Sequence, residues 1–361
     1  MLQTLSAVLT AVIVLMTLLP LSRSPRWWIR GMDFPRLQIA IAGAMLFGFQ
    51  WWALDVSEFS TQLMLLATAS CIIYQAWWIV PYTRPYPNEV KLGAGHGGSD
   101  RIRILSSNVL QTNRRSDDLL SLVRQHDPDI VVTLETDAWW QERLDVLEAE
   151  YRHTIKCPLE NTYGMLVYSK LPLKDIAIQF LVQSDVPSMH AMVVLKSGQR
   201  VRMHFLHPAP PSPTENDEST ERDAELLVVA KSVAKVKGPV IVAGDLNDVG
   251  WSATTRLFRK ISGLLDPRVG RGMFNTFHAD HWFLRWPLDH IFHSSHFTLG
   301  FIRRLPHFGS DHFPVLVELV YDEVRGAEQE GLIADADDKK LAEEKIAAEP
   351  VTEDDVHEPQ A

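Results

Sequence analysis

Cysteine is scarce in this chain: Cys71 and Cys157 are the only two. They lie far apart, and Cys71 sits inside an apolar run. That excludes both a disulfide framework and a zinc knuckle. A basic surplus is missing as well. The formal net charge is −10, yet from Asp322 onward 14 acids stand against 4 bases, which accounts for −10 by itself. The body before that segment is neutral. A neutral body argues against a broad nucleic-acid surface and leaves only a local patch open. The acidic segment has no aromatic residue after Tyr321. Such a composition cannot build a core. We expect 322–361 to be a disordered acidic tail, with at most a short helix around Leu341 to Ala348.

Long apolar runs, in contrast, crowd the first 80 residues. They cover about 5–21, 37–54 and 63–80, each close to the length that crosses ~30 Å of hydrocarbon. No Lys or Arg precedes the first run and no A-x-A pattern follows it, so a cleaved signal peptide fits poorly. Trp51, Trp52, Trp77 and Trp78 stand at the ends of the second and third runs, as interfacial anchors do. About three transmembrane helices are therefore expected over 1–80. Arg23, Arg26, Arg30 and Arg36 fill the first loop, while the second loop carries Asp55 and Glu58 and no base. The positive-inside rule then places the C-terminal domain in the cytoplasm. Residues 81–100 read as a Pro/Gly linker, with Pro81, Pro85, Pro87, Gly93, Gly95, Gly97 and Gly98 and no apolar periodicity.

From Arg101 to Tyr321 short apolar strands alternate with single helices, which suggests two packed sheets covered by helices. The stretch that organises this domain is Val240 to Asn247. Four apolar residues read as a strand buried on both faces, then Gly-Asp-Leu-Asn follows. Asp245 and Asn247 sit two apart, so both can point to one side. A carboxylate can orient and deprotonate water, and an amide can donate to a phosphoryl oxygen. An Asx turn closing a strand is the plain alternative. Other polar residues also mark strand ends: Asn108 after RILSS, Glu135 after DIVVTL, Tyr163 before GMLVYS, His207 at the end of VRMHFLH, Asp289 in LDHIF, and Asp311 with His312 in SDHFP.

In GDLN and SDHFP, then LDHIF, LET and SNVLQTN, the chain resembles the endonuclease/exonuclease/phosphatase superfamily. That superfamily includes deoxyribonuclease-I-like nucleases, abasic-site endonucleases, sphingomyelinases and inositol-polyphosphate phosphatases. The resemblance covers about 101–321 and points to a membrane-anchored bacterial member. It implies an α+β fold, a four-layer α/β/β/α sandwich with the site where the sheets open. It also implies phosphoester hydrolysis with Mg²⁺, or Mn²⁺ in its place. Carried over residue by residue, Glu135 resembles the main metal ligand, with Asn108 and Asp311 beside it. Asp245 resembles the group that orients water, and Asn247 a phosphate contact. His312 resembles the histidine that donates to the phosphoryl oxygen or acts as general acid/base, and Asp289 the carboxylate that holds it. His207 resembles a second histidine of the nuclease branch. Arg222, Asn113 and Ser252 are substrate-contact candidates. Leu110 stands where abasic-site endonucleases carry a second acid, which counts against that role.

The expected function is hydrolysis of phosphoester bonds by a multi-pass protein of a bacterial-type inner membrane. Its partners would be the lipid bilayer and a phosphoester substrate: a lipid head group, a small molecule or nucleic acid. Two alternatives remain open: a membrane-tethered nuclease acting on DNA or RNA, and a non-catalytic membrane scaffold that keeps the fold. The sequence names no protein partner.

Overall fold

The structure, a computed structural model, describes residues 1–93 and 100–359. The linker residues Gly95, Gly97 and Gly98 and the last two residues of the tail lie outside the described residues. The chain opens with α1 (Leu2–Leu18), the single turn α2 (Trp27–Arg30), α3 (Arg36–Ala53) and α4 (Phe59–Ile79). Two stretches, Leu2–Ser22 and Phe59–Tyr82, are long and apolar enough to cross a membrane. The expected middle span is α3, and it is not among them. Its 18 residues include Arg36, Gln38 and Gln50, which dilute its hydropathy.

These helices pack inside out relative to a water-soluble bundle. Leu5, Val8, Leu15, Met45, Leu63, Leu66 and Ile73 face outward, while Thr10, Gln50, Thr68 and Gln75 are buried between helices. Gln50 Nε2 donates to Thr10 Oγ1 at 2.8 Å, and Gln75 Nε2 donates to Thr17 Oγ1 at 3.0 Å. The described part of the linker is laid on the domain rather than free. Tyr82 is 1% exposed and its hydroxyl donates to the Gly250 carbonyl at 2.6 Å. Glu89 pairs with Arg259, and Leu92 bridges Leu299. A sequence scan sees prolines and glycines here and misses these anchors, because they lie one per turn of irregular chain.

The domain follows as β1 (Arg101–Asn108), α5 (Ser116–His126), β2 (Ile130–Leu134), α6 (Ala138–Leu144), β3 (His153–Cys157), β4 (Met165–Ser169), β5 (Leu173–Gln179), β6 (Ser188–Val194), β7 (Arg200–Leu206), α7 (Thr220–Ala234), β8 (Val240–Asp245), α8 (Ala253–Ser262), β9 (Asp289–His293), β10 (Phe297–Arg304) and β11 (Val315–Tyr321). One sheet runs β10-β11-β1-β2-β4-β3 and the other β5-β6-β7-β8-β9. Their facing sides make the main core. Strand alternation sends Ile102, Ile104, Ile130, Val132, Ile241 and Ala243 into it. Leu105 and Val131 point the other way, onto α5 and α6, and Val240 and Val242 point onto α7 and α8. Helix, sheet, sheet and helix thus form the four expected layers.

The acidic tail departs from expectation. It forms the short α9 (Glu323–Gly326) and then α10 (Ala336–Ile346), which starts with a capping box from Asp335 and Asp338. Ala342, Ile346, Val351 and Val356 complete the core over α7 and α8. The tail's charge lies on its outer side. Its few apolar residues share one face, and composition alone averages that face away.

Candidate active site

β1 and β2 run parallel and end together, with Asn108 opposite Leu134. In the second sheet Asp245, at the end of β8, lies opposite Asp289 at the start of β9. The ends of the two sheets converge, and the polar residues of these termini meet. Gly244 makes the approach feasible. It has φ +147°, and a Cβ there would stand 1.9 Å from the Leu206 carbonyl on β7. Glu135 and Asn247 both adopt left-handed backbone, φ +59° and +51°. Strain of this kind gathers where side-chain aim matters.

Asn108 is the hinge of the site. Its Nδ2 donates to Glu135 Oε1 at 2.7 Å and to Asp245 Oδ2 at 3.2 Å, so one amide joins the two sheets. His312 sits between two acids: Nδ1 is 2.9 Å from Asp289 Oδ2 and Nε2 is 3.5 Å from Asp245 Oδ2. Burial disfavours the imidazolium, but Asp289 and Asp245 outweigh it and raise His312 to about 10. Phe277 covers the ring at 4.9 Å between centroids. Burial pushes Glu135 up to about 7; Asn108 and His312 oppose this, while Asp311 and Asp245 add to it. His207 is held down at about 4, chiefly by burial, so it is neutral. Among the described residues its buried Nδ1 has no partner, and its ring lies 5.5 Å from Tyr163. The Asn247 amide donates to the Pro208 carbonyl at 3.0 Å, and its backbone N–H donates to Asp245 Oδ1 at 2.9 Å.

Nine of the eleven expected residues are accounted for at this junction or its rim, and two are not. Arg222 is 2% exposed and spends its guanidinium on Asp223, Asp248 and the Asn247 carbonyl. It braces the Asn247 turn from behind and has no donor for a substrate phosphate. Ser252 caps α8, accepting from Thr255 N and donating to Asp248. It too is turned inward. Asn113 lies at the rim; its amide donates to the Val109 carbonyl at 3.1 Å and its oxygen accepts from Arg115 N. One residue that the sequence did not single out belongs here. Ser310 Oγ donates to the Asn108 carbonyl at 2.8 Å and accepts from His312 N at 3.0 Å, tying β1 to the SDHFP loop. Its place before Asp-His is the only sequence signal it offers.

The donor set fits a hard divalent cation. Glu135, Asp245, Asp289 and Asp311 are four carboxylates, with the His312 imidazole among them. Oxygen donors with uncompensated negative charge suit Mg²⁺-like ions. Asp245, Asp289 and His312 form a compact group with ligand atoms within 4.8 Å of one another. His312 Nδ1 bonds Asp289, while Nε2 lies within ion-pair distance of Asp245. Glu135 and Asn108 lie directly beside this trio, Asn108 bonding both Glu135 and Asp245.

A family model described as the endonuclease/exonuclease/phosphatase family matches residues 97–312. No curated protein matches the sequence. Solved structures share the fold. An endonuclease/exonuclease/phosphatase from Beutenbergia cavernae is 19% identical with TM-score 0.51, covering 62% of this chain and 72% of its own. The human Nocturnin catalytic domain with bound sulfate is 17% identical with TM-score 0.51, covering 62% and 95%. A D. rerio TDP2 in complex with a single-strand DNA product is 17% identical with TM-score 0.50, covering 61% and 98%.

Proposed function

Because the chain belongs to the endonuclease/exonuclease/phosphatase family and is thereby a phosphoester hydrolase or nuclease, we propose that it is a membrane-anchored, Mg²⁺-dependent hydrolase of phosphoesters presented at the bilayer surface, lipid head groups foremost. The observation that carries the reaction is the Asn108 bridge between Glu135 and Asp245, with His312 clamped between Asp245 and Asp289. Asp245 accepts from the Asn247 backbone, which fixes its carboxylate for aligning the attacking water. His312, held charged by two acids, offers a proton and positive charge to the phosphoryl group. His207 offers an unpartnered, neutral imidazole nitrogen to the same space. Mg²⁺ held by Glu135, with Asn108 and Asp311, supplies Lewis-acid charge to the phosphoryl oxygens when bound; Mn²⁺ can replace it.

The placement of the site favours a substrate in the membrane. The C-terminal ends of α1 and α4 and the start of α3 all lie on the domain side of the bundle. Trp251 Nε1 donates to the Asp33 carbonyl at 2.8 Å, and Gln38 Nε2 donates to the Phe283 carbonyl at 2.8 Å. Phe34 packs edge-on against Trp286, Trp286 stacks with Phe277, and Phe277 covers His312. Three rings thus separate the bundle from the catalytic histidine. Trp282 and Phe283, on the loop hydrogen-bonded to α3, are 80% and 54% exposed. Aromatic side chains at that level suit the bilayer interface. The arginines of the first loop favour a cytoplasmic domain.

The test is the full chain assayed on phospholipid vesicles, plasmid DNA and bis-p-nitrophenyl phosphate, with Mg²⁺ or with EDTA. Metal-dependent release of a phosphorylated or dephosphorylated head group is expected. Cleavage of DNA alone would replace the lipid reading by the nuclease one. No metal-dependent product on any substrate would leave only a scaffold. In the same assay Asp245→Asn should lower turnover by about 10²-fold or more while substrate binding is kept. An unchanged rate would remove Asp245 from the chemistry.

A further inference from the structure

Away from the catalytic junction, a cavity of about 470 Å³ lies where the bundle meets α8 and α10. Pro20, Arg23 and Trp78 line it from the bundle side, and Arg256, Lys260 and Lys345 from the domain side. No residue of the proposed catalytic group reaches it. Several of its charges are already matched. Lys260 pairs with Asp338 at 2.6 Å, and Lys345 with Asp223 at 2.6 Å. Arg30 donates to the Pro20 carbonyl at 2.8 Å. Glu344, also on the wall, faces Lys340 at 3.8 Å.

Two cations and one donor are left over. Among the described residues, neither Arg23 nor Arg256 has a carboxylate within ion-pair distance or a hydrogen-bond acceptor. Arg256 lies over the Trp78 ring at 5.3 Å, and burial disfavours its charged form. The Trp78 indole nitrogen is buried with no acceptor. Arg23 is exposed and reaches the cavity from its open side, whereas the half-buried Arg256 guanidinium and an indole N–H without acceptors are costly unless something anionic arrives. Guanidiniums lining one cavity from two sides can each direct N–H donors at phosphate oxygens.

We propose that this cavity binds the phosphate of an anionic bilayer lipid, as a site separate from the catalytic one. The proposal rests on the reading that α1 and α4 lie in a bilayer. Given that reading, the cavity opens where these helices leave the hydrocarbon, the level at which phospholipid phosphates lie. Trp78 would stand beside the head group, and Arg23 and Arg256 would hold it from the two sides. A lipid seated there joins bundle, domain and tail helix at one point, since Lys345 and Leu341 of α10 are also part of the wall. Soluble phosphate shares the recognised chemistry and lacks the acyl chains.

The test is lipid binding to the full chain in detergent, stripped of lipid and kept in EDTA so that no turnover occurs, read by native mass spectrometry. The probes are dioleoyl-phosphatidylglycerol, dioleoyl-phosphatidylcholine and inorganic phosphate. One phosphatidylglycerol per chain is expected, at least tenfold tighter than phosphatidylcholine. The double variant Arg23→Gln/Arg256→Gln should lose that preference tenfold or more, with its melting temperature measured to show that it folds. Arg124→Gln, an exposed charge on α5, should keep it. Equal binding of the two lipids, or an unchanged double variant, overturns the site. Phosphate binding as tightly as phosphatidylglycerol overturns the lipid assignment. Carbonate extraction of membranes separates the two readings. A chain that resists extraction yet shows no lipid preference refutes only the site, while a chain that washes off refutes the anchoring itself.

Discussion

Arg222 shows how a residue can be necessary to a site without touching what binds there. Its charge is fully desolvated, and so are those of Asp223 and Asp248. Burial pushes the Asp223 carboxyl up, but Arg222 and Lys345 outweigh burial and hold it at about 2. Removing one member of such a cluster leaves the others as uncompensated buried charges, which costs about 3–5 kcal/mol. Arg222→Met should therefore lower the unfolding free energy by that amount, read as a lower denaturant midpoint at unchanged slope. In whatever fraction folds, the turnover number should fall more than KM rises, because the Asn247 turn loses its brace. A phosphate-contact residue would give the opposite pattern: intact stability and a raised KM. The charge type of Arg222 was visible in the sequence, and its direction was not. The residues whose identity announces chemistry at a strand end, such as Asp245 and His312, were legible because the strand fixes where the next residue points. Ser310 was not legible, because a serine hydroxyl near a turn has dozens of ordinary uses. The left-handed backbone at Glu135 leaves no trace in a non-glycine sequence.

Among the elements, the tail helix carries the sharpest prediction. Ala342, Ile346, Val351 and Val356 cover apolar surface of α7 and α8. Burial of a few such side chains contributes on the order of 4 kcal/mol. Deleting residues 336–361 should lower the melting temperature by roughly 10 °C and open the α7–α8 face to a dye such as ANS. A tail that merely solvates the protein would be removable with no change in melting. The same comparison explains which strands could be read. β2 and β8 are buried along their whole length and appear as unbroken apolar runs. β3 and β5 present no such run. They are the edge strands at one end of each sheet. β5 is exposed over most of its length, with Lys174 and Asp175 near its start. Edge strands gain their pairing from a neighbour and show little alternation of their own. The tail was misread for a related reason: fourteen acids dominate any average, while four apolar residues on one face decide the fold.

For the molecule as a whole, buried histidines set the response to acid. Burial holds His190 at about 3 and His207 and His293 at about 4, and holds His204 and His290 well below the ordinary range. Above pH 6.5 these rings are neutral folded or unfolded and contribute nothing. As pH falls from 6.5 towards 4, the unfolded chain takes up five protons that the folded chain refuses, so stability is lost. Glu135, at about 7, and Glu225, pushed by burial to about 8, act the other way between pH 7 and 4.5. Glu89, Glu215 and Asp248, also raised by burial, join them by smaller amounts, and the five histidine shifts decide the sign below pH 6. His312 adds stability that is full below 6.5 and disappears as pH rises through about 10. Melting of the full chain in detergent should therefore drop steeply below pH 6; a flat profile between 6.5 and 5 would contradict it. The other property of the whole is where the catalytic unit begins. Family resemblance starts it near residue 100, but its packing starts earlier. Arg259 is 1% exposed and ion-paired to Glu89, whose carboxylate also accepts from Asp266 N at 2.8 Å. Val90 is fully buried, and Tyr82 packs edge-on against Trp251. A chain that begins at 101 leaves the Arg259 charge buried without its partner and uncovers the Val90 and Tyr82 sites; one that begins at 81 keeps all three. The shorter protein should be less stable by about 4 kcal/mol or more in urea. Equal urea midpoints would mean that 81–93 is only a tether.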